Sequence, residues 1–377
     1  MGSEGERMQR CPLTWDVVGR RTAVDVHAPQ GAGLLVPAGA RIGQQDLQAL
    51  VSRGVQHVFL QDELFPELPF MHTVSVESQM EAQAALRELT GALAQVRSDP
   101  PEAELRRLLR AAREIVEEVL AADAMVADLG PWDHKDAGRF EHAVDVAAIS
   151  VQIGRYYPLP RDQLLRLCVG ALLMDVGLSQ LPQGALRRPG LLDADGVSAM
   201  LSHPRQGWQL VHRWLPAVFP TSASVVLQHH ERLDGSGYPE GRQGESIYLF
   251  ARIAAAADVF AAIRSDRPHR RRFRPQEIVR LLREEAGMGL DREACAILLH
   301  HVAVVPHGAI ARLTDGSLAK VVAHSIGAPL QPLCVLVGSA LDQPVRRRQV
   351  NLRDTSVFVE DVLDAWPGAL LEGARLM

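Results

Sequence analysis

Apolar positions change their period along the chain, and the changes divide it. From Leu13 to Leu60 they come in short runs broken by turn signals: Val24-Asp25-Val26, Gly31-Ala32-Gly33, Leu34-Leu35-Val36 and Pro37-Ala38-Gly39. Such runs predict strands, with one short helix over Gln44 to Val51 and a further strand from Val55 to Leu60. Residues 1–74 therefore read as a small α+β module. Val76 to Val96 and Glu102 to Ala127 then carry helical periodicity, separated by Asp99-Pro100-Pro101, through which a helix cannot continue. In the second helix Leu105, Leu108, Leu109, Ala112, Ile115, Val116, Val119 and Leu120 share one face. No heptad is sustained, so residues 75–128 read as a helical linker or stalk whose apolar face packs on the next domain or on a second copy of the chain.

Beyond Leu129-Gly130-Pro131 helical spacing dominates to about residue 304, which defines a central helical domain over residues 129–304. After Val305-Pro306-His307-Gly308 short alternating runs return: Ala309 to Leu313, a turn at Thr314-Asp315-Gly316, then Ala319 to Val322, Pro332 to Val337 and Thr355 to Val359. Residues 305–377 read as a small β-rich appendage. The expected fold class is mainly α, an all-helical centre between a small α+β N-terminal module and a β-rich C-terminal appendage.

Composition narrows the function classes without choosing one. The chain of 377 residues has 47% hydrophobic and 23% charged residues, the balance of an ordinary globular protein. A net charge of -5 gives no global attraction to nucleic acid or anionic lipid. The run from Arg270 to Arg274 is a local basic cluster without interleaved aromatics, so no nucleic-acid partner is expected. No segment is an unbroken apolar run of membrane-spanning length. Cys11, Cys168, Cys295 and Cys334 lie far apart and form no C-x-x-C pair, which suits thiols in a reducing compartment. With no apolar leader in Met1 to Glu6, the expected location is the cytoplasm.

Candidate chemistry concentrates in the central domain, in His229-His230-Glu231-Arg232-Leu233-Asp234-Gly235-Ser236-Gly237-Tyr238-Pro239 and the helical run that ends at Asp258. Adjacent His229 and His230 cannot face the same way on a regular helix, so a shared role needs a helix end or an irregular turn, which Asp234-Gly235 supplies. Taken with His142, Asp175, His203 and Asp258 they form a set of imidazoles and carboxylates without thiolate, a donor chemistry suited to Fe, Mn, Zn or Ni. A carboxylate shared by two such ions would let them activate water against a phosphodiester.

The stretch from about Phe140 to Arg270 resembles the HD-GYP domain, a branch of the HD phosphohydrolase superfamily that hydrolyses the bacterial second messenger cyclic di-GMP. His203-Pro204-x-x-Gly207 is similar to that family's H-P-x-x-G. His229-His230-Glu231-x-x-Asp234-Gly235-x-Gly237-Tyr238-Pro239 matches its signature, and Ala251-Arg252-Ile253, Asp258 and Arg267-Pro268 match the segment that follows. The resemblance implies an all-helical domain with a metal cluster between its helices. It implies metal ligation by His142, Asp175, His203, His229, His230 and Asp258, with Asp175 bridging two ions and Asp175, His203, His229 and His230 at the catalytic centre. It further implies a substrate-side loop made by Gly235, Gly237, Tyr238 and Pro239. Arg188, Arg252 and Arg267 become candidates for contact with cyclic di-GMP, with a helix-packing ion pair as the alternative for each.

The chain departs from the family pattern where H-D-x-G-K is expected. It reads Met174-Asp175-Val176-Gly177-Leu178, so a histidine and a lysine are replaced. The thioether of Met174 is a poor ligand for these ions, and Leu178 carries no cation toward a phosphate. Downstream, D-x-x-D-A reads Asp258-Val259-Phe260-Ala261-Ala262, and Gly138 stands where members with a third metal carry Glu. By the family's division, one ion would take Asp175, His203, His229 and His230, a complete set. The other would take His142, residue 174, Asp175 and Asp258, a set short by one. The expectation is one firm and one doubtful divalent-metal site. Two functions follow: a weakened metal-dependent cyclic di-GMP phosphodiesterase, or a catalytically inactive cyclic di-GMP receptor or protein-interaction module. A second copy of the chain and a signalling protein remain open as macromolecular partners.

Overall fold

The computed structural model of the chain describes residues 9–13, 17–22, 25–27, 33–55, 57–61, 64–65, 73–95, 101–122, 139–181, 194–214, 219–265, 271–340, 343–363, 366–367 and 370. In the N-terminal module β1 (Gln9–Pro12), β2 (Val26–His27), β3 (Leu34–Val36), α1 (Gln44–Ser52) and β4 (His57–Leu60) follow in order. Antiparallel pairing joins β1 to β4 and β2 to β3. The Asp46 carboxylate accepts the Gly43 N–H at 2.8 Å, closing the first turn of α1. Val17, Val26, Val36, Ile42, Leu47, Leu50, Val58 and Leu60 form a core of their own, as the alternating runs predict.

Two helices come next, α2 (Val76–Leu93) and α3 (Glu102–Ala121). Ser75 caps α2 by accepting from the Ser78 N–H at 3.2 Å. The Ser75 N–H and hydroxyl and the Ser78 hydroxyl all donate to Glu118 near the far end of α3, at 2.6, 2.9 and 2.6 Å, so the helices run antiparallel. Arg107 of α3 grips Glu81 of α2 through two bonds of 2.7 Å. The stripe on α3 faces inward: Leu108, Ala112, Ile115, Val116 and Val119 share one core with α4 (Arg139–Gly154) and α5 (Arg161–Leu173). The apolar face of the hairpin is thus covered within the chain, by helices of the central body.

The central body continues through a 3-10 turn at Val176–Gln180, then α6 (Ala194–Trp214), α7 (Pro220–Gln228), α8 (Leu249–Arg264), α9 (Pro275–Glu285) and α10 (Arg292–His301). On α8, Phe250, Ala251, Ile253, Ala254, Ala255, Ala256, Ala257 and Phe260 are all buried, which marks it as the central helix. Among the described residues no helix is long and apolar enough to cross a membrane.

The C-terminal strands β5 (Ile310–Leu313), β6 (Leu318–Ala323), β7 (Leu333–Gly338), β8 (Pro344–Asn351) and β9 (Val359–Leu363) form one antiparallel sheet in the order β8-β7-β6-β5-β9. One face encloses Ala311, Leu313, Ala319, Val321 and Cys334. The other meets Leu64 and Phe65, which follow β4, and Trp366 and Leu370 from beyond β9. Arg347 fastens the contact, donating to the Leu64 carbonyl at 2.5 Å and lying 4.7 Å over the Phe65 ring. The open edge of β9 is covered by α9 and the residues before it, with Arg272 donating to the Val362 carbonyl at 2.7 Å and Gln276 to that of Val359 at 2.9 Å. Two sequence expectations are corrected here. The strand expected at Thr355 to Val359 begins only at Val359, because the Thr355 hydroxyl turns back to the Leu352 carbonyl at 2.8 Å. The strand β8, with Arg346, Arg347 and Arg348 at its middle, follows no apolar alternation and was not expected.

Candidate metal centre

Six side chains meet between the helices of the central body. His142 comes from α4, Asp175 from the junction of α5 with the 3-10 turn, His203 from α6, His229 and His230 from the end of α7, and Asp258 from α8. Gly177 lets the 3-10 turn reach α6: a Cβ there would stand 2.0 Å from the His203 carbonyl oxygen and 2.6 Å from the Gly207 nitrogen. The glycines of the H-D-x-G-K and H-P-x-x-G patterns are thus two sides of one backbone contact, and it brings Asp175 up to His203.

Pro204 explains the histidine beside it. A proline inside α6 has no N–H for the carbonyl four residues earlier, that of Met200. The His203 Nδ1 occupies that carbonyl at 2.6 Å. A carbonyl only accepts, so Nδ1 carries the proton and Nε2 presents a lone pair. His229 is fixed in the same way at the end of α7, its Nδ1 3.2 and 3.1 Å from the Val225 and Val226 carbonyls. The two Nε2 atoms then face each other at 3.4 Å, and the Asp175 Oδ1 lies 3.2 Å from the first.

Three acceptors turned toward one another repel unless a cation lies among them. The ligand atoms of Asp175, His203, His229 and His230 all lie within 4.8 Å of one another. Two nitrogens held about 2.1 Å from one ion would themselves be separated by roughly 3 to 3.5 Å. Donor type, tautomer and spacing all fit a divalent metal.

His142 and Asp258 are arranged differently. The His142 Nε2 bonds the Asp258 Oδ1 at 2.8 Å, and the other Asp258 oxygen lies 3.9 Å from the His230 Nδ1. The two are paired with each other along the edge of the cluster. Met174 is buried in the helical core and Leu178 is likewise buried, so neither side chain lends a polar atom.

Ionisation suits cation binding. Burial pushes the Asp175 carboxyl upward, but the close approach of the His203 ring and the surrounding imidazoles outweigh that and hold it at about 2. Burial acts on Asp258 in the same sense and is outweighed by His142, leaving it below the usual carboxylate range. Burial lowers His229, and lowers His230 to about 2. Anionic carboxylates beside neutral imidazoles are the forms that ligate a metal.

The loop after His230 is braced from below. Glu231 is buried and its carboxylate accepts the Glu240 N–H at 2.8 Å and the Arg242 N–H at 2.9 Å, stapling both ends of the Gly-Tyr-Pro turn. Gly235 takes a φ of +82°, and Asp234 accepts from the Ser236 N–H at 2.9 Å, which makes the expected turn. A Cβ on Gly237 would lie 2.4 Å from the Arg232 nitrogen, so only glycine fits. Tyr238 stacks on His230 with ring centroids 4.6 Å apart and joins Pro239 through a cis peptide. Sequence reasoning missed Glu231, although its place directly after the histidine pair was a usable signal.

Of the arginines expected near substrate, Arg252 is committed elsewhere. It pairs at 3.3 Å with Asp291, which also receives the Tyr157 hydroxyl at 3.0 Å and caps α10. Arg188 and Arg267 lie outside the described residues.

Comparison with known proteins places this geometry. Residues 123–294 match the family model described as HD domain. A cyclic di-GMP phosphodiesterase of Pseudomonas aeruginosa is 33% identical over 221 residues, covering 58% of this chain and 52% of that protein. The cyclic di-GMP phosphodiesterase response regulator RpfG of Xanthomonas campestris is 32% identical over 44% of each chain. The 3'3'-cGAMP-specific phosphodiesterase 1 of Vibrio cholerae is 31% identical over 49% of this chain and 42% of that protein. The chain spans about half the length of these curated relatives.

Proposed function

We propose, on the premise that residues 123–294 of this chain are an HD domain, that it is a metal-dependent phosphodiesterase of cyclic di-GMP with reduced turnover. The observation that carries this reading is the convergence of the Asp175, His203, His229 and His230 ligand atoms within 4.8 Å, beside the Tyr238-Pro239 loop. These four residues would hold one ion firmly, of Fe, Mn, Zn or Ni. The His142 and Asp258 pair, without a ligand at Met174, would hold a second ion weakly. A bound divalent ion supplies Lewis acidity toward a phosphoryl oxygen and an acidified water.

The chain's own groups perform the rest. His203 and His229 arrive with their tautomers set by carbonyls, so binding requires little reorganisation. Glu231 holds the loop that presents Tyr238 over His230, a flat wall against which a guanine base can rest. Relatives named for both cyclic di-GMP and 3'3'-cGAMP support a cyclic dinucleotide as ligand.

A second reading is favoured by a specific observation. Met174 and Leu178 are buried apolar residues integrated into the fold, as in a receptor that kept the site and gave up turnover. Incubation of the full chain with cyclic di-GMP and Mn(II) or Fe(II), with linear product followed against a Met174→His, Leu178→Lys variant, separates the two. We expect slow hydrolysis by the wild type and faster hydrolysis by the variant. Tight binding without product in the wild type favours the receptor. No binding by either protein overturns both readings.

A further inference from the structure

Arg139, the first residue of α4, stands one turn before His142. Its guanidinium lies 4.8 Å over the Phe140 ring, and Arg87 of α2 lies 5.4 Å over the same ring. Arg139, Phe140, Asp175 and Val176 line one narrow cleft together with Leu86 and Thr90 of α2. The cleft has a free volume of about 10 Å³, at most a single water, so the guanidinium does not await a ligand there. Among the described residues Arg139 makes no ion-paired hydrogen bond, and the carboxylate that shares its cleft is Asp175. Burial weakens the guanidinium's hold on its proton, and the Asp175 charge works against that.

We infer that Arg139 is a built-in counter-charge for Asp175, filling electrostatically the place that a second cation would take on that carboxylate. The inference rests on the one-metal reading and explains how the site tolerates it. The sequence that replaces a ligand with Met174 and a cation with Leu178 also sets a fixed positive charge against the bridging carboxylate. A second ion on Asp175 would add a positive charge to a carboxylate that already shares its cleft with the Arg139 guanidinium.

Metal binding tests this without reference to turnover. The full chain is stripped with chelator and titrated with Mn(II), with free Mn(II) followed by its paramagnetic resonance signal, for the wild type, Arg139→Gln and Arg139→Lys. The wild type should take one equivalent and Arg139→Lys should match it. Arg139→Gln should bind its first equivalent about tenfold tighter and take up a second. Arg139→Met, which can still pack on Phe140, carries the same test if the Gln variant does not fold. A wild type that takes one equivalent, with Gln and Met variants equal to it or weaker, overturns the role of Arg139 alone. A wild type that takes two equivalents overturns the one-metal reading and this inference with it.

Discussion

Pro204 contributes through the N–H it lacks, because the free Met200 carbonyl is what fixes the His203 tautomer. Pro204→Ala would restore the helical bond and set a backbone donor against the imidazole for that carbonyl. Metal affinity should fall by about tenfold while the stripped protein melts no lower, as read by metal titration and thermal unfolding. Gly177→Ala should act in the opposite way, through the fold. Its Cβ would strike the His203 carbonyl, and a loss of about 2 to 3 kcal/mol in a urea titration is expected. Glu231→Ala would leave the Glu240 and Arg242 amides without their acceptor, and should raise hydrogen exchange at both while metal content stays unchanged. Motif spacing made the ligands legible, since each pattern reports residue types at fixed separation. It could not show that His142 and Asp258 bond each other, that Arg252 pairs with Asp291, or that Arg139 and Asp175 line one cleft, because such neighbours depend on how helices cross.

Among the elements, α3 shows how a stripe can be read while its partner stays open between two choices. Periodicity gave the apolar face of the helix, but a face says nothing about what covers it. Leu108→Ala or Ile115→Ala should destabilise the central body by about 2 to 5 kcal/mol and leave the mass measured by sedimentation unchanged. A change in oligomeric state without loss of stability would return α3 to the role of a stalk. The strand β8 was unreadable for a related reason. It lies at the edge of its sheet, where Arg346 and Arg348 are exposed and alternation with a buried face lapses. Charge on an open edge discourages pairing with another strand. Arg346→Val with Arg348→Val should therefore produce concentration-dependent self-association, visible in light scattering.

Across the whole molecule, buried charge ties stability to metal. Asp175 and Asp258 are both held ionised inside the helical body, and a cation bound there stabilises the folded chain alone. Metal at about a hundredfold excess over its Kd should contribute about 2.7 kcal/mol, so chelator should lower the Tm by about 5 °C and added Mn(II) should restore it. The helical hairpin takes part in this. Leu86 and Thr90 of α2 line the cleft that holds Asp175, and α2 begins eleven residues after Phe65, which is docked against Trp366 and beneath Arg347 on the C-terminal sheet. A segment that walls a charged centre and is anchored at a distance shares one free-energy balance with it. Any factor by which metal loading tightens the packing of α2 on this cleft must return, by the same factor, to metal affinity.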